Sequence, residues 1–479
     1  MLIRSVMTAS QRSKRVYLMG IAGTGMGSLA GLLKQLGYEV SGSDQAVYPP
    51  MSDKLREWEI PYFEGYAEEH LHDTPDLLVV GNVIRSNNPE ALYARKHGIP
   101  TYSMPEVISE LAIENKHSIV VSGTHGKSTT TALLAHAFTK AKRDPSFLVG
   151  GALVGMPESF HAGQGAYFVI EGDEYDTAYF DKGPKFVHYK PKTLIITSLE
   201  YDHADIYASV EAIEASFRKV IELVPEDGHI VVWAGAERAV RLVREHGRAK
   251  RVTIYGAGFD ANFKLLKSHA DGEGTTITAQ VNGEERTATI ALWGPGGVEN
   301  SLAAMAVLWA EGFSNHEAAH ALAGFAGVHR RMEVCCEHGG VTVVDDFAHH
   351  PTAIDVTVKA ARARFGARRL WAIFEPRSAS TRRNIFQEAL GDALALADCV
   401  VMASHSRLME VPDALRLSPE SIVKKAQQAG KQAWFIEDTD AIATHVASHA
   451  QPGDVVLVMS NGNFEGLIPK LDRALHAKL

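Results

Sequence analysis

Cysteine is scarce in these 479 residues: only Cys335, Cys336 and Cys399 occur. The count is odd, two are adjacent and no C-x-x-C spacing exists. That excludes a disulfide framework and fits a reducing compartment. Long apolar stretches are also missing. No run approaches the ~18 residues of a membrane span, and the leading MLIRSVMTASQRSKR lacks the apolar core of a secretory signal. A cytoplasmic, soluble protein is the expectation. Basic excess is absent as well: 48 Lys and Arg against 57 Asp and Glu leave a formal net charge of -9. A general nucleic-acid binder would need the opposite balance. A small anionic ligand stays open, because backbone amides at a helix start hold phosphate whatever the global charge. Tandem repeats and low-complexity tracts are lacking too. What remains is ordinary globular composition, 46% hydrophobic and 22% charged, which excludes wholesale disorder and suffices for sizeable cores. At ~100–200 residues per domain, three domains are the central expectation.

Short apolar runs alternate with helical spacings, which predicts an α/β class with parallel sheets and crossover helices. Three segments are expected, 1–116, 117–327 and 328–479. The first has strands at Val16–Met19, Tyr38–Ser41 and Leu77–Val80, with a helix over Ser28–Leu36. The second has strands at Ser118–Val121, Tyr167–Ile170, Thr193–Thr197 and His229–Trp233. It has helices at Thr129–Thr139 and Ser301–Glu311, and an antiparallel appendage over Phe263–Thr289 with turns near Asp271-Gly272 and Asn282-Gly283. The third has strands at Val341–Val344, Leu370–Phe374, Cys399–Met402, Ala433–Ile436 and Val455–Met459.

The strongest chemical signal is Gly123-Thr124-His125-Gly126-Lys127-Ser128-Thr129, between a buried strand and a helix. Glycines let backbone amides surround phosphate oxygens, Lys127 adds a point charge, and Ser128 can join a Mg²⁺ shell. Two residues separate Gly123 from Gly126, where the common nucleotide motif has four before its Gly-Lys. Two acidic clusters follow strands downstream: Glu171-Gly172-Asp173-Glu174-Tyr175-Asp176 and Glu200-Tyr201-Asp202-His203. Strand ends on the carboxyl side of a parallel sheet converge, so both clusters should flank the turn and supply metal ligands.

Gly20-Ile21-Ala22-Gly23-Thr24-Gly25-Met26-Gly27 is a second glycine turn, with Asp44 ending the next strand. It suits a nicotinamide dinucleotide or another nucleotide diphosphate. In the last segment Asp345-Asp346-Phe347-Ala348-His349-His350-Pro351 ends a strand, and Pro351 is placed to start a helix. Arg330 and Arg331, upstream, are candidates to close over phosphate. Arg377 after Phe374 could grip a carboxylate, whereas Arg382 and Arg383 read as solvated positions on a helix beyond.

In this order the three signals resemble the Mur ligases, ATP-dependent amide-forming enzymes of bacterial cell-wall synthesis. The resemblance covers nearly the whole chain after about Arg15. It implies a Rossmann-like N-terminal domain for a UDP-sugar, a central P-loop ATPase-like domain, and a Rossmann-like C-terminal domain that closes on ATP and binds the acceptor. ATP and Mg²⁺ are the implied cofactors; UDP-N-acetylmuramate and a short peptide or amino acid are the implied partners, joined through an acyl phosphate. Carried over by position, UDP-sugar contacts fall on Gly20, Gly23, Thr24, Gly25, Met26, Gly27, Ser43, Asp44 and Asn82. ATP contacts fall on Gly123 to Thr129, Asn300, Arg330 and Asp346. Ser128, Glu171 and His203 would hold metal, Lys127, His349 and His350 would join them in catalysis, and Arg377, Ser378 and Asn461 would bind peptide.

Gly81-Asn82, Asp181–Pro191, Glu375–Ser378 and Ser460–Phe464 favour family members that attach a recycled tripeptide, L-alanyl-γ-D-glutamyl-meso-diaminopimelate. Alanine-adding members usually carry Ser-Ser-Ala-Ile and Gln-Pro-His-Arg at the first and third of these; they are the alternative. Two positions depart from the family: Gly296-Gly297 replaces a His-Asn before Asn300, and Ser198 replaces an Asn. Lys219 falls one residue off the position of a carbamoylated lysine and receives no role. An NAD-dependent oxidoreductase would use Gly20–Gly27 and Asp44 but leaves Gly123–Ser128 unexplained. A non-catalytic nucleotide-binding module leaves the acid and histidine clusters unexplained.

Overall fold

Uninterrupted apolar runs such as Leu77–Val80 and Ile119–Val121 are fully buried, as strands covered on both faces must be. In a computed structural model that describes residues 14–201, 206–207 and 209–477, these runs are interior strands with a parallel neighbour on each side. Packing divides the chain into two compact units. One comprises Met1–Leu199, Glu211–Phe263 and Ala306–Ala321; the other comprises Glu200–Val210, Lys264–Met305 and Leu322–Leu479.

The first unit holds two sheets. Strands β1 (Arg15–Met19), β2 (Glu39–Asp44), β3 (Tyr62–Glu64), β4 (Leu77–Val80) and β5 (Thr101–Ser103) lie in the order β3-β2-β1-β4-β5, all parallel. The second sheet is built on β6 (His117–Ser122), β7 (Ser146–Leu148), β8 (Phe160–His161) and β9 (Tyr167–Gly172). A small hairpin, β10 (Asp176–Ala178) and β11 (Asp181–Pro184), intervenes before β12 (Thr193–Ile196), β13 (His229–Trp233) and β14 (Arg251–Gly256) continue it. β6 lies between β9 and β12, parallel to both, with Ser122 level with Gly172 and Ile196. The carboxyl ends of three strands therefore meet at one place, which is where a ligand crevice forms in such sheets.

The second unit holds the antiparallel meander β15 (Phe263–Ala270), β16 (Thr275–Val281) and β17 (Glu284–Ile290), turning at the two expected places. It also holds a sheet of β18 (Glu333–His338), β19 (Val341–Asp346), β20 (Leu370–Phe374), β21 (Cys399–Met402), β22 (Gln432–Phe435) and β23 (Val455–Met459). Their order is β18-β19-β23-β20-β21-β22, with only β18 antiparallel. One core lies on each face: Val344, Ala372 and Leu457 belong to one, Val343, Ile373 and Val458 to the other. Among the described residues no helix is long and apolar enough to cross a membrane.

Four details differ from the sequence reading. The helix after the first glycine turn opens at Thr24, not Ser28, because buried Met26 and Gly27 already pack inward. β9 continues through Glu171 and Gly172, so Glu171 projects from a strand end. The helix carrying Asn300 opens at Gly294, so Gly296 and Gly297 lie inside it. β18 was not expected, since a bulge between Val334 and Cys336 breaks its alternation.

Candidate active site

The turn after β6 is shaped by two glycines with positive φ, Gly123 at 140° and Gly126 at 81°. A Cβ on Gly123 would overlap Thr197 Oγ1. Gly126 caps the helix Lys127–Lys140 and no side chain closes that N-terminus, which keeps its positive end for an anion. Thr197 and Ser198 buttress the turn from β12. Thr197 Oγ1 donates to the carbonyls of Ser122 and His125, and the His125 amide donates to Ser198 Oγ at 2.8 Å. Ser198 thus does the bracing at a position where the family carries Asn. Thr124, His125, Ser128 and Thr129 line the turn half-buried.

Lys127 Nζ donates to the Gly123 carbonyl at 2.7 Å and lies 3.1 Å from Glu174 Oε2. Burial works against its charge, but Glu174, Asp173 and Glu171 outweigh that and hold its pKa above the ordinary lysine value. Glu174 is 3% exposed. It pairs with the lysine that the sequence picked out, a role the sequence reading did not assign. Ser128 Oγ donates to Glu171 Oε2 at 3.1 Å and the Gly150 amide donates to Oε1 at 2.7 Å. Burial, then Asp173, push the Glu171 carboxyl upward, opposed by Gly150, Lys127 and Ser128. Ser128 and Glu171 thus place hard oxygen donors together, the kind Mg²⁺ takes. His203 lies outside the described residues.

In the N-terminal sheet Gly20 turns with φ of 85°. Gly23, Thr24 and Gly25 are exposed and Gly23 caps the helix without a side-chain acceptor. Asp44 Oδ2 accepts from the Ala22 amide at 2.9 Å, so the acid braces the turn. Asn82 is exposed in the turn after β4. Ser43 differs from expectation. It is fully buried and donates to Glu90 Oε2 at 2.6 Å, while Tyr17 and His70 contact the other oxygen of Glu90. Burial removes its hydroxyl from ligand reach. Met26, 7% exposed, is core, and Gly27 is the small residue that admits Met51.

In the second unit the carboxyl ends of β19, β20 and β23 gather the remaining candidates. Asp346 is 4% exposed and accepts from the amides of Met332 and Ala348, both at 2.8 Å. It shapes the strand end, where the sequence suggested a ribose contact. Arg330 also differs. Its guanidinium donates to Asp345 at 3.0 Å and to the carbonyls of Ser460 and Gly462 at 2.6 and 2.7 Å. It therefore ties two loops together. Arg331 stacks on Phe347 at 5.1 Å. His350 caps the helix Pro351–Phe365 and lies 3.8 Å from Glu200, which also accepts from Thr352 at 2.7 Å. His349 Nδ1 lies 3.0 Å from the Phe347 carbonyl. Asn300 sits half-buried beside Glu299, whose pKa rises to about 7 through burial and then Glu200. The departure at Gly296 has a packing cause: a Cβ there would lie 2.6 Å from Val356 Cγ1.

The loops after β20 and β23 do converge. Ser460 donates to the buried Glu375, and Gly462 underlies the Arg377 side chain. Arg377 is 42% exposed, 4.0 Å from Glu375. Ser378 shares a 2.8 Å hydrogen bond with Thr381. Asn461 Oδ1 is buried without a hydrogen-bond partner, a state that calls for a ligand donor or water. Arg382 is not the solvated position expected. It is 9% exposed and donates to the Arg407 carbonyl at 2.9 Å and to Glu410 at 3.3 Å, because the chain turns back under the loop there. His405, missed in sequence, lies 3.9 Å from Glu375. Burial, then Arg377, Arg382 and Arg407, lower its pKa.

Three family models match in order: the Mur ligase catalytic domain at residues 15–116, the Mur ligase middle domain at 121–308, and the Mur ligase glutamate ligase domain at 330–462. The chain is 36% identical to the UDP-N-acetylmuramate–L-alanyl-γ-D-glutamyl-meso-2,6-diaminoheptandioate ligase of Escherichia coli K12, covering 95% of this chain and 97% of the relative. It is 34% identical to the UDP-N-acetylmuramate–L-alanine ligase of Streptomyces avermitilis, covering 96% and 97%. Among solved structures, the murein peptide ligase of Psychrobacter arcticus superimposes with a TM-score of 0.71 at 34% identity, over 97% of this chain and 99% of that one.

Proposed function

The chain belongs to the Mur ligase family, and we propose that it joins UDP-N-acetylmuramate to the recycled tripeptide L-alanyl-γ-D-glutamyl-meso-diaminopimelate, with ATP cleaved to ADP and phosphate. The observation that carries this reading is the 36% identity, end to end, to the E. coli tripeptide ligase; a glycine turn with Lys127 set between the Gly123 carbonyl and Glu174 supports it. Both nucleotide substrates belong to the cytoplasm, and we place the enzyme there.

In this reading the muramyl carboxylate attacks the γ-phosphorus, ADP leaves, and an acyl phosphate forms. The peptide's neutral α-amino group then attacks the acyl carbon and phosphate departs. The amides of Gly123 to Gly126 and the Lys127 ammonium hold the phosphoryl oxygens and stabilise the charge that moves during transfer. Glu174 and the Gly123 carbonyl fix Lys127 so that it needs no reorganisation as the reaction proceeds. Ser128 and Glu171 would hold Mg²⁺, with His203 holding a second ion; bound there, Mg²⁺ neutralises phosphate charge. Asp44 keeps the Gly20–Gly25 backbone in position for the UDP pyrophosphate. Arg377 faces a peptide carboxylate, and the buried Asn461 oxygen accepts from a peptide N–H or ammonium.

Phosphate release from purified enzyme tests the proposal. UDP-N-acetylmuramate and ATP are supplied with either the tripeptide or L-alanine. Release is expected with the tripeptide well above that with L-alanine. The reverse preference would assign the chain to alanine addition.

A further inference from the structure

The second unit contains a group of potential metal ligands at the end of β19 opposite Asp345 and Asp346. It starts from the bulge in β18. Glu333 and Val334 pair with Asp345 and Val344, but Cys336 pairs with Val343, leaving Cys335 as the extra residue. The bulge therefore moves Cys336 and His338 to the face that carries Val341 and Val343. That face is covered by Leu471 and Leu475 of the C-terminal helix Leu467–His476. Asp472, on the same helix, meets the two strand side chains. His338 Nε2 lies 2.7 Å from Asp472 Oδ1. One ligand atom from each of Cys336, His338 and Asp472 lies within 4.8 Å of the others.

We propose that Cys336, His338 and Asp472 form a Zn²⁺ site that fastens the C-terminal helix to the edge strand β18. Thiolate, imidazole and carboxylate are the donors this borderline-soft ion takes, and the thiolate disfavours Mg²⁺ and Ca²⁺. His476, one helical turn beyond Asp472, has its ring centroid 5.2 Å from that of His338, so it can supply the fourth ligand of a tetrahedral site. All three core donors are half-buried, which leaves an entry path. On binding, the thiol proton leaves to solvent, and the imidazole proton moves to Nδ1 as Nε2 takes the metal. The site is separate from the catalytic edge. His338 pairs with Val341, at the opposite end of β19 from Asp345 and Asp346. Its role is structural: β18 is an edge strand, and edge strands need an anchor or a cover.

The test uses the full-length enzyme, stripped with a chelator and titrated with Co²⁺ and then Zn²⁺. One equivalent of Co²⁺ should give a thiolate-to-metal absorption band, displaced by Zn²⁺. The band should vanish in Cys336→Ser and persist in Cys335→Ser and Cys399→Ser. Zn²⁺ affinity should fall at least about 100-fold in Cys336→Ser and at least about 10-fold in His338→Gln and Asp472→Asn. Zn²⁺ should raise the unfolding temperature of the wild type and leave that of Cys336→Ser unchanged. Absence of the band in wild-type protein, or its survival in Cys336→Ser, overturns the site and leaves a hydrogen-bonded polar cluster. Metal bound at the oxygen donors Ser128 and Glu171 gives no thiolate band, so it cannot pass for this site.

Discussion

Gly20–Gly27 and Gly123–Lys127 both turn a buried parallel strand into a helix, yet only the second puts a charge into the turn. At the first, Gly23 to Gly25 are exposed, the helix end is uncapped by side chains, and the bracing acid Asp44 holds a backbone amide. At the second, Lys127 opens the helix and is locked between the Gly123 carbonyl and Glu174. In the proposed function the same backbone device serves two ends. A helix dipole and open amides suffice to hold a diphosphate that does not react. A phosphoryl group in transfer needs a fixed cation as well. Gly123 is also far more crowded than Gly23: Thr197 and Ser198 press against it from β12, whereas the nearest neighbour of a Gly23 side chain is the Gly20 carbonyl at 3.4 Å.

Removing the charge should erase the difference between the turns. Lys127→Ala is expected to lower turnover by a hundredfold or more, about 3–4 kcal/mol of transition-state stabilisation. It also leaves Glu174 buried and unpaired, so unfolding temperature should drop. Lys127→Ala with Glu174→Gln should recover the temperature and not the turnover. Near-normal turnover in the single variant would remove the ATP site from this turn.

The difference in tightness is tested by one substitution made twice. Gly123→Ala should reduce ATP-dependent turnover roughly 100-fold, because its Cβ meets Thr197 and its φ of 140° disfavours a side chain. Gly23→Ala, at φ of -67°, should change KM for UDP-N-acetylmuramate by no more than about threefold. Steady-state kinetics on both variants decides. Equal effects would mean that the turns are built alike.

Acceptor recognition lies outside both turns. Arg377→Ala should raise KM for the tripeptide about 30-fold, roughly 2 kcal/mol, at the lower end for an Arg–carboxylate contact because the side chain is partly exposed. KM for UDP-N-acetylmuramate should stay unchanged; a parallel rise in both would make Arg377 a brace of its loop. Asp44→Ala should do the converse. It should weaken UDP-N-acetylmuramate about 10-fold, at one lost charge-assisted hydrogen bond, and leave KM for ATP alone. Calorimetric titration of the wild type with NAD should show no comparable binding.

The smallest effect separates the two sheets of the first unit. His229, fully buried on β13 and 2.8 Å from Thr253 Oγ1, has its pKa lowered to about 3 by burial, then Arg251 and His117. The unfolded value is near 6.5. The folded state thus favours the neutral ring, and the stability it contributes is complete above about 6.5 and is lost as pH falls toward 3. His229→Gln should shift the acid-unfolding midpoint down by about 0.5–1 pH unit. An unchanged midpoint, followed by circular dichroism, would show that another group controls acid unfolding of this sheet.

The placement of glycine turns after apolar strands was legible in residues alone, and so were Lys127, Ser128 and Glu171 as neighbours. Leu370–Phe374, Cys399–Met402 and Val455–Met459 match their strands to the residue, since continuous burial leaves one signal. β18 was hidden because its bulge breaks the period-2 pattern. Glu174 was visible in an acidic cluster but indistinguishable there from Asp173 and Asp176. Its burial against Lys127, 47 residues earlier in the chain, singles it out. Arg330, Arg382, Ser43 and Asp346 all looked available.

By itself the sequence determined the order of three α/β segments, two glycine turns and the family, because these rest on local spacing: apolar runs set strands, and glycines set turns. Only the tertiary structure decided which polar side chains remain open to ligand. Arg330 is tied to Ser460 and Gly462, Ser43 to Glu90, and Asp346 to Met332 and Ala348. The physical reason is that a buried polar group must find a partner. Here strand order supplies most of those partners, bringing Arg330 to a carbonyl 130 residues away and Cys336 to Asp472 at the far end of the chain.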